Sequence, residues 1–376
     1  MKKKFIYVIL IPLFLGIFYK KVIKKKKKRT LINSKVYPNS ILIAEYENYH
    51  LECLPGYTKY FTDLGYNVDI LMVNGKQECM EKFEPRDKIR IFGFKNKQEI
   101  DDNYMKYKKK LKEYKILFLQ TLNILNIELY KKIGYYDNPN SFFVIHHIDE
   151  LFSYGIKNAI AKQEVFSISD YGTILYLNPN YFGEFNLTHE KNDEISFLIT
   201  STKNRNYLHF LSAVNYLKNK SFNFTINLIG RSGNFNEDHI PDELKKYFNF
   251  YGQVNYQKMY EIVNNSDFII LNLYPDREFD NLFRTYRSTG NTQLSYGFYK
   301  PVLIEENFVN VYKFSNETSI IYKGEDILSA MLRALTMSYE EYKKMSIKVK
   351  HLRQTIYNNS LNNLKKVLEK NKIFKN

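Results

Sequence analysis

A chain of 376 residues, 44% hydrophobic and 16% aromatic, has the apolar content to bury two cores, which excludes a disordered or low-complexity protein. Its net charge of +16 is concentrated at one end: Lys2 to Lys4 and the eight basic residues from Lys20 to Arg29 hold 11 of the 56 Lys and Arg, leaving 45 against 40 acids, or +5, in the remainder. A body that mildly basic lacks the concentrated cationic face that a nucleic-acid partner needs, and two cysteines without metal-ligand spacing argue against a zinc site and a disulfide framework.

Phe5 to Tyr19 is a run of 15 uncharged, almost wholly apolar residues between the two basic clusters. As a helix it spans about 22 Å, short of the roughly 30 Å of bilayer hydrocarbon, a shortfall that snorkelling lysines and local thinning absorb. Residues 1–36 are therefore expected to be a membrane-anchor helix with its basic juxtamembrane segment. Eight positive residues after the run against three before it favour a cytoplasmic body, with a lumenal body on a stem as the alternative orientation. A cleaved signal peptide fits less well, because no small-residue cleavage site follows.

Residues 37–186 read as a first domain. The apolar strand Ser40–Ala44 runs into the loop Glu45 to Gly56, a helical stretch follows to Leu64, and Gly65-Tyr66-Asn67 turns the chain into a strand over 68–73. Strand, loop, helix, turn, strand is a βαβ unit, so the sheet is parallel and its ligands belong at the carboxyl ends of its strands. The loop after the first strand carries His50 and Glu52, either of which is chemically suited to act as a base. Further strands are predicted over 88–93, 116–120, 141–145, 166–169 and 173–177. The strand over 141–145 ends in His146-His147-Ile148-Asp149-Glu150, a second acid/base cluster at a sheet edge. The absence of HExxH or a second ligand set argues against a catalytic metal. Asn178 to Asn186, rich in Pro, Gly and Asn, and the charged run after it read as a domain linker.

Residues 187–336 repeat the alternation. Strands are predicted over 195–199, 224–229 and 267–273, with helices over 207–217 and 256–264. Ser288-Thr289-Gly290-Asn291-Thr292 opens a helix and leads to the apolar strand at 301–304. A helix N-terminus offers unpaired amides and partial positive charge, and Gly290 lets a ligand approach closely, so this turn is a candidate phosphate site. Arg284 and Arg287, just before it, add positive charge against phosphate or sit as solvated charges on a loop. A helix over 326–336 and a long helical segment over 338–370 complete the chain.

The order of these elements, with a strand ending in Ile-Gly-Arg, a Tyr-Gly-Gln-Val segment, a helix closing in Asn-Ser-Asp and a Thr-Gly…Leu-Ser…Lys-Pro-Val stretch, resembles the GT-B glycosyltransferases, in particular their family 4-like members. The resemblance covers most of residues 195 to 340 and, more weakly, 40 to 186. It implies an α/β protein of two tandem Rossmann-like domains, residues 337–376 returning to the first domain. It further implies transfer of a sugar from a nucleotide-diphosphate sugar to a glycan or lipid-linked acceptor, with no metal or other cofactor. By the same resemblance Lys203 and Arg205 neutralise the donor diphosphate, Gly230 and Arg231 shape the cleft floor, and Tyr251 to Val254 lie against the base. Thr289, Gly290, Asn291 and Thr292 cradle the phosphates.

For the base, His147 and Glu52 lead, with His50 and His146 behind them. Thr292 stands where many retaining relatives carry the second glutamate of a pair, which favours inversion with a first-domain base. It also leaves open a catalytically inactive protein that binds a glycan or a partner. A dehydrogenase is disfavoured, since GxGxxG does not follow the first strand.

Overall fold

The computed structural model describes residues 30–149, 164–185, 194–200, 207–230, 237–275 and 277–373. Two parallel six-stranded sheets form its frame. The first contains β1 (Ser40–Ala44), β2 (Asn67–Val73), β3 (Ile89–Phe94), β4 (Ile116–Leu119), β5 (Ser141–Ile145) and β6 (Glu164–Ser167). The second contains β7 (Ile195–Thr200), β8 (Phe224–Ile229), β9 (Phe248–Gly252), β10 (Phe268–Ile270), β11 (Val302–Glu305) and β12 (Ser319–Tyr322). Lateral order is β3-β2-β1-β4-β5-β6 in one and β12-β11-β10-β7-β8-β9 in the other, the same doubly wound plan used twice.

Strands buried on both faces explain why the sequence reads as continuous apolar runs rather than alternation. Every residue of β1, β4, β5 and β11 is buried. Core clusters cover both faces of each sheet, and in each sheet the order reverses beside the strand that comes first in the chain: between β1 and β4, and between β7 and β10. Those reversals open crevices at the carboxyl ends of the strands.

The stretch 173–177, expected as a strand, has a single bridge from Tyr176 to Ser167. Hydrogen bonds from Ser167 N to Leu175 O and from Leu177 N to Ser167 O tie it beside the end of β6, after which Pro179 takes the chain away. The expected linker is packed rather than loose. Tyr181 joins the first-domain core and Phe182 the second-domain core. Gly297 is pressed so close that an added Cβ would sit 2.3 Å from the Phe182 ring.

The C-terminal helix Tyr339–Lys370 begins with a capping box between Ser338 and Glu341. Its first half packs on the second domain, where the Tyr342 hydroxyl donates to Asp267 O at 3.0 Å and Ser346 Oγ to Tyr299 O at 2.6 Å. Its second half crosses to the first domain: Leu364, Val367 and Leu368 enter that core, and Ser360 Oγ accepts from Asn178 N at 3.0 Å. No helix among the described residues is long and apolar enough to cross a membrane, and Phe5 to Tyr19 lies outside those residues.

Candidate functional site

The loop leaving β1 at the first crevice is dense in charge. Glu45 is fully buried and accepts from the Glu47 amide at 2.7 Å, from Gln120 Nε2 at 3.0 Å and from Thr121 Oγ1 at 2.5 Å. Burial pushes its carboxyl well above the usual glutamate value, against the hydrogen bonds from Thr121 and Glu47. Glu47, also buried, accepts from Lys97 Nζ at 2.9 Å and from the side-chain amides of Asn123 and Asn126, which ties the β1 loop to the loop after β4.

His50 follows in the left-handed region, at φ 63, with Gln120 Nε2 donating to its carbonyl. That conformation is uncommon for a residue with a Cβ and aims the ring across the crevice mouth. There it stacks on His146, which leaves the end of β5, at 4.0 Å between ring centroids and a 35° tilt. His50 Nδ1 lies 3.5 Å from Glu52 Oε1. Burial opposes charge on Glu52, yet the hydrogen bond and charge of His50, with Tyr256 adding, hold its carboxyl below the usual value. His146 is held well below the usual histidine value by burial, then by His50 and His147. Its Nε2 is 3.3 Å from Gln120 O, a carbonyl that only accepts, so the neutral ring carries its hydrogen on Nε2.

At the second crevice the described helix start is uncharged by contrast. Thr289, extended at φ −102 and ψ 133, precedes the helix Gly290–Phe298 and makes no side-chain cap hydrogen bond. Thr292 closes the turn by donating from N at 3.2 Å and from Oγ1 at 2.8 Å to Thr289 O. Asn291 accepts from Thr200 Oγ1 and donates to Ile270 O at 3.4 Å, which pins the helix start between the ends of β7 and β10. Gly290 is exposed, and an added Cβ would meet nothing within 4 Å. The amides of Gly290 and Asn291, ahead of the hydrogen bond from Thr292 N, lie at the open end of the helix, where an anion has room to approach.

The two edges touch. His147 and Arg287 form an antiparallel bridge, Ile148 N donates to Tyr286 O at 2.9 Å, and Arg287 Nη2 meets Asp149 Oδ2 at 2.8 Å. The Tyr256 hydroxyl, from the second domain, donates to Glu52 Oε2 at 3.4 Å.

The structure thus brings His50, Glu52 and His146 together, and sets His147 at the interdomain bridge. Gly230, at φ 125, donates from its amide to Gly252 O at 2.9 Å and shapes the end of β8. Tyr251 is half-buried on the neighbouring edge strand β9, packed on the second-domain core. Arg284 lies on the helix Glu278–Thr285, a segment expected as loop. Lys203, Arg205 and Arg231 lie outside the described residues. Glu45, Gln120, Thr121 and Tyr256 were not anticipated. The first three directly follow β1 and β4, and that placement at a strand-order reversal is the signal that marks them.

No protein-family model matches the chain, and no curated protein does. Among solved structures it is similar to a glycosyltransferase from Rickettsia africae, at 15% identity and TM-score 0.56, covering 89% of this chain and 99% of that one. It is similar to the Anabaena protein HepE, solved with UDP and glucose, at 10% identity and TM-score 0.53 over 89% of this chain and all, 100%, of that one. TarM superposes at TM-score 0.58 and 9% identity, covering 89% of this chain and 98% of that chain.

Proposed function

We propose that this chain, whose fold is that of the GT-B glycosyltransferases, moves a glycosyl unit from a nucleoside diphosphate sugar to a hydroxyl of a glycan or lipid-linked acceptor. The observation that carries the reading is the pairing of the two crevices. A His–Glu couple on one domain and an uncapped helix N-terminus on the other stand at equivalent ends of two sheets and meet through Tyr256, Asp149 and Arg287.

In this reading the acceptor enters along the first domain. Its oxygen bonds to the anomeric carbon as the bond from that carbon to the diphosphate oxygen breaks, and the nucleoside diphosphate leaves with the electron pair. His50 takes the hydroxyl proton. Its Nδ1 is turned to Glu52, so Nε2 is the nitrogen for the task, and the Glu52 charge steadies the imidazolium that results. His146, neutral beneath it, adds no competing positive charge. The first-turn amides at Gly290, with Lys203 and Arg205, meet the charge on the leaving diphosphate, and the reading asks for neither a metal nor another cofactor. One base and one displacement correspond to inversion.

The apolar run Phe5 to Tyr19 would hold this body at the cytoplasmic face of a membrane, in reach of a lipid-linked acceptor. Because Asp149 occupies Arg287, a second reading has one observation in its favour: a protein of this fold that binds glycan or partner without turnover. Thermal shift of the full chain in detergent with each nucleoside diphosphate, UDP first, followed by turnover of the matching nucleotide sugars, separates them. Stabilisation with sugar release or transfer supports the transferase. Absence of both sinks it.

A further inference from the structure

Four residues, Tyr286 to Thr289, join the helices Glu278–Thr285 and Gly290–Phe298, and the first domain grips that loop from two sides. From the end of β5, Ile148 N donates to Tyr286 O at 2.9 Å, His147 bridges Arg287, and Asp149 Oδ2 holds Arg287 Nη2 at 2.8 Å. From the end of β6, Ser169 Oγ lies 2.6 Å and the Tyr171 hydroxyl 3.0 Å from Ser288 Oγ. A guanidinium two residues before the Thr289 turn is therefore committed to a carboxylate of the other domain. The commitment is incomplete, since Arg287 Nε is buried without a hydrogen-bond partner, a condition buried donors rarely keep.

Pyrophosphate carries more charge than a carboxylate and offers more oxygens to a planar fork of donors. A nucleotide arriving at the Thr289 turn competes with Asp149 for Arg287 on favourable terms. Building on the glycosyltransferase reading, we infer that Asp149 is a positioning residue of the donor site supplied by the acceptor domain. It parks Arg287 while the site is empty and yields it to pyrophosphate, which loosens the clasp on residues 146–149. Donor occupancy is then felt beside His50, and by linkage whatever disturbs the clasp alters donor affinity equally.

The test uses UDP and dTDP as probes on the full chain, with dissociation constants measured calorimetrically for wild type, Asp149→Asn and Asp170→Asn. Asp170 pairs with Lys313 at 3.4 Å across the same boundary and controls for removal of a nearby negative charge. The Asp149→Asn chain should bind nucleotide about fivefold tighter, the low end of coupling between sites, while Asp170→Asn matches wild type. Hydrogen exchange at the Ile148 amide supplies the readout a merely structural ion pair would not give: UDP should speed it in wild type. Equal or weaker binding by Asp149→Asn, or Ile148 protection that UDP leaves unchanged or raises, overturns the inference. Failure of wild type to bind any nucleoside diphosphate takes down the glycosyltransferase reading first and the inference with it.

Discussion

The carboxyl ends of β1 and β4 in the first domain and of β7 and β10 in the second occupy the same places in the same strand order, yet among the described residues the first edge, joined by His146 from β5, is crowded with ionisable groups, while the helix start at the second is made of hydroxyls, amides and backbone. Glu45, Glu47, His50, Glu52 and His146 lie within one hydrogen-bonded and stacked cluster. Thr200, Thr289, Asn291 and Thr292 carry no formal charge. A single topology therefore presents surfaces suited to two physical tasks. Titratable groups packed together have their proton affinities set apart, which suits handling a proton. An uncapped helix end offers fixed dipoles at no protonation cost, which suits holding an anion.

The division breaks most visibly at His50. His50→Ala should lower transfer by roughly 10²- to 10⁴-fold, the usual range for a general base, and leave the UDP dissociation constant unchanged. Equal loss of UDP affinity would show that His50 serves donor binding rather than proton transfer. At the opposite edge, Gly290→Asp sets two consequences of one charge against each other. The site has room for the side chain, and a carboxylate in the first turn is favourable to the helix, so the melting temperature should hold or rise slightly. The same charge repels pyrophosphate, and UDP should bind about tenfold more weakly, as expected for roughly 1.4 kcal/mol. A chain that melts lower and binds UDP normally would show that this helix end has no part in the donor site.

The first-domain cluster also predicts a pH dependence of stability. His146 has its folded-state value pushed well below the ordinary histidine value, so the unfolded chain binds its proton first as pH falls. Its contribution is complete above about pH 6.5 and is lost as pH drops from there toward the folded-state value, at a limiting slope of about 1.4 kcal/mol per pH unit. His146→Gln should therefore flatten the fall in melting temperature between pH 7 and 5. An equally steep fall in the variant would remove His146 from the account.

How much of this was legible beforehand follows from how local each determinant is. Strand β5 was found with its observed bounds because Phe142, Phe143 and Val144 form an uninterrupted apolar run closed by polar residues. The helix Glu278–Thr285 was missed although Phe279, Leu282 and Phe283 have helical spacing, because Pro275 and the charges of Arg277, Glu278, Asp280 and Arg284 argue for a loop. Asp280 is in fact fully buried, accepting from Tyr274 N at 3.2 Å and ion-paired to Arg277 at 3.4 Å. The individual histidines were legible at strand ends, but not that His50 stacks on His146 while His147 turns to the bridge. That choice depends on β1 and β5 flanking β4, a lateral order no single stretch encodes. The Arg287–Asp149 pair joins positions 138 residues apart, beyond the reach of any local pattern.

The finest probe is the place where the second domain contributes to the charged edge of the first. Tyr256 opens the helix Tyr256–Asn265 in the second domain, and its hydroxyl donates to Glu52 Oε2 at 3.4 Å, a long bond to a carboxylate that His50 already stabilises more strongly. Tyr256→Phe removes that donor and keeps the ring, which packs beside Tyr260 with centroids 6.2 Å apart. A hydrogen bond to a charged group is worth about 1.5–3 kcal/mol at ordinary length, and this one is beyond the usual 2.7–3.2 Å, so transfer should fall by no more than about threefold. The fall should be confined to the proton-handling step and appear as a small upward shift of the acidic limb of the pH–rate profile, because Glu52 then holds its charge less firmly. If instead UDP affinity changes and the profile does not, Tyr256 belongs to the donor domain alone and Glu52 is tuned wholly from within its own loop.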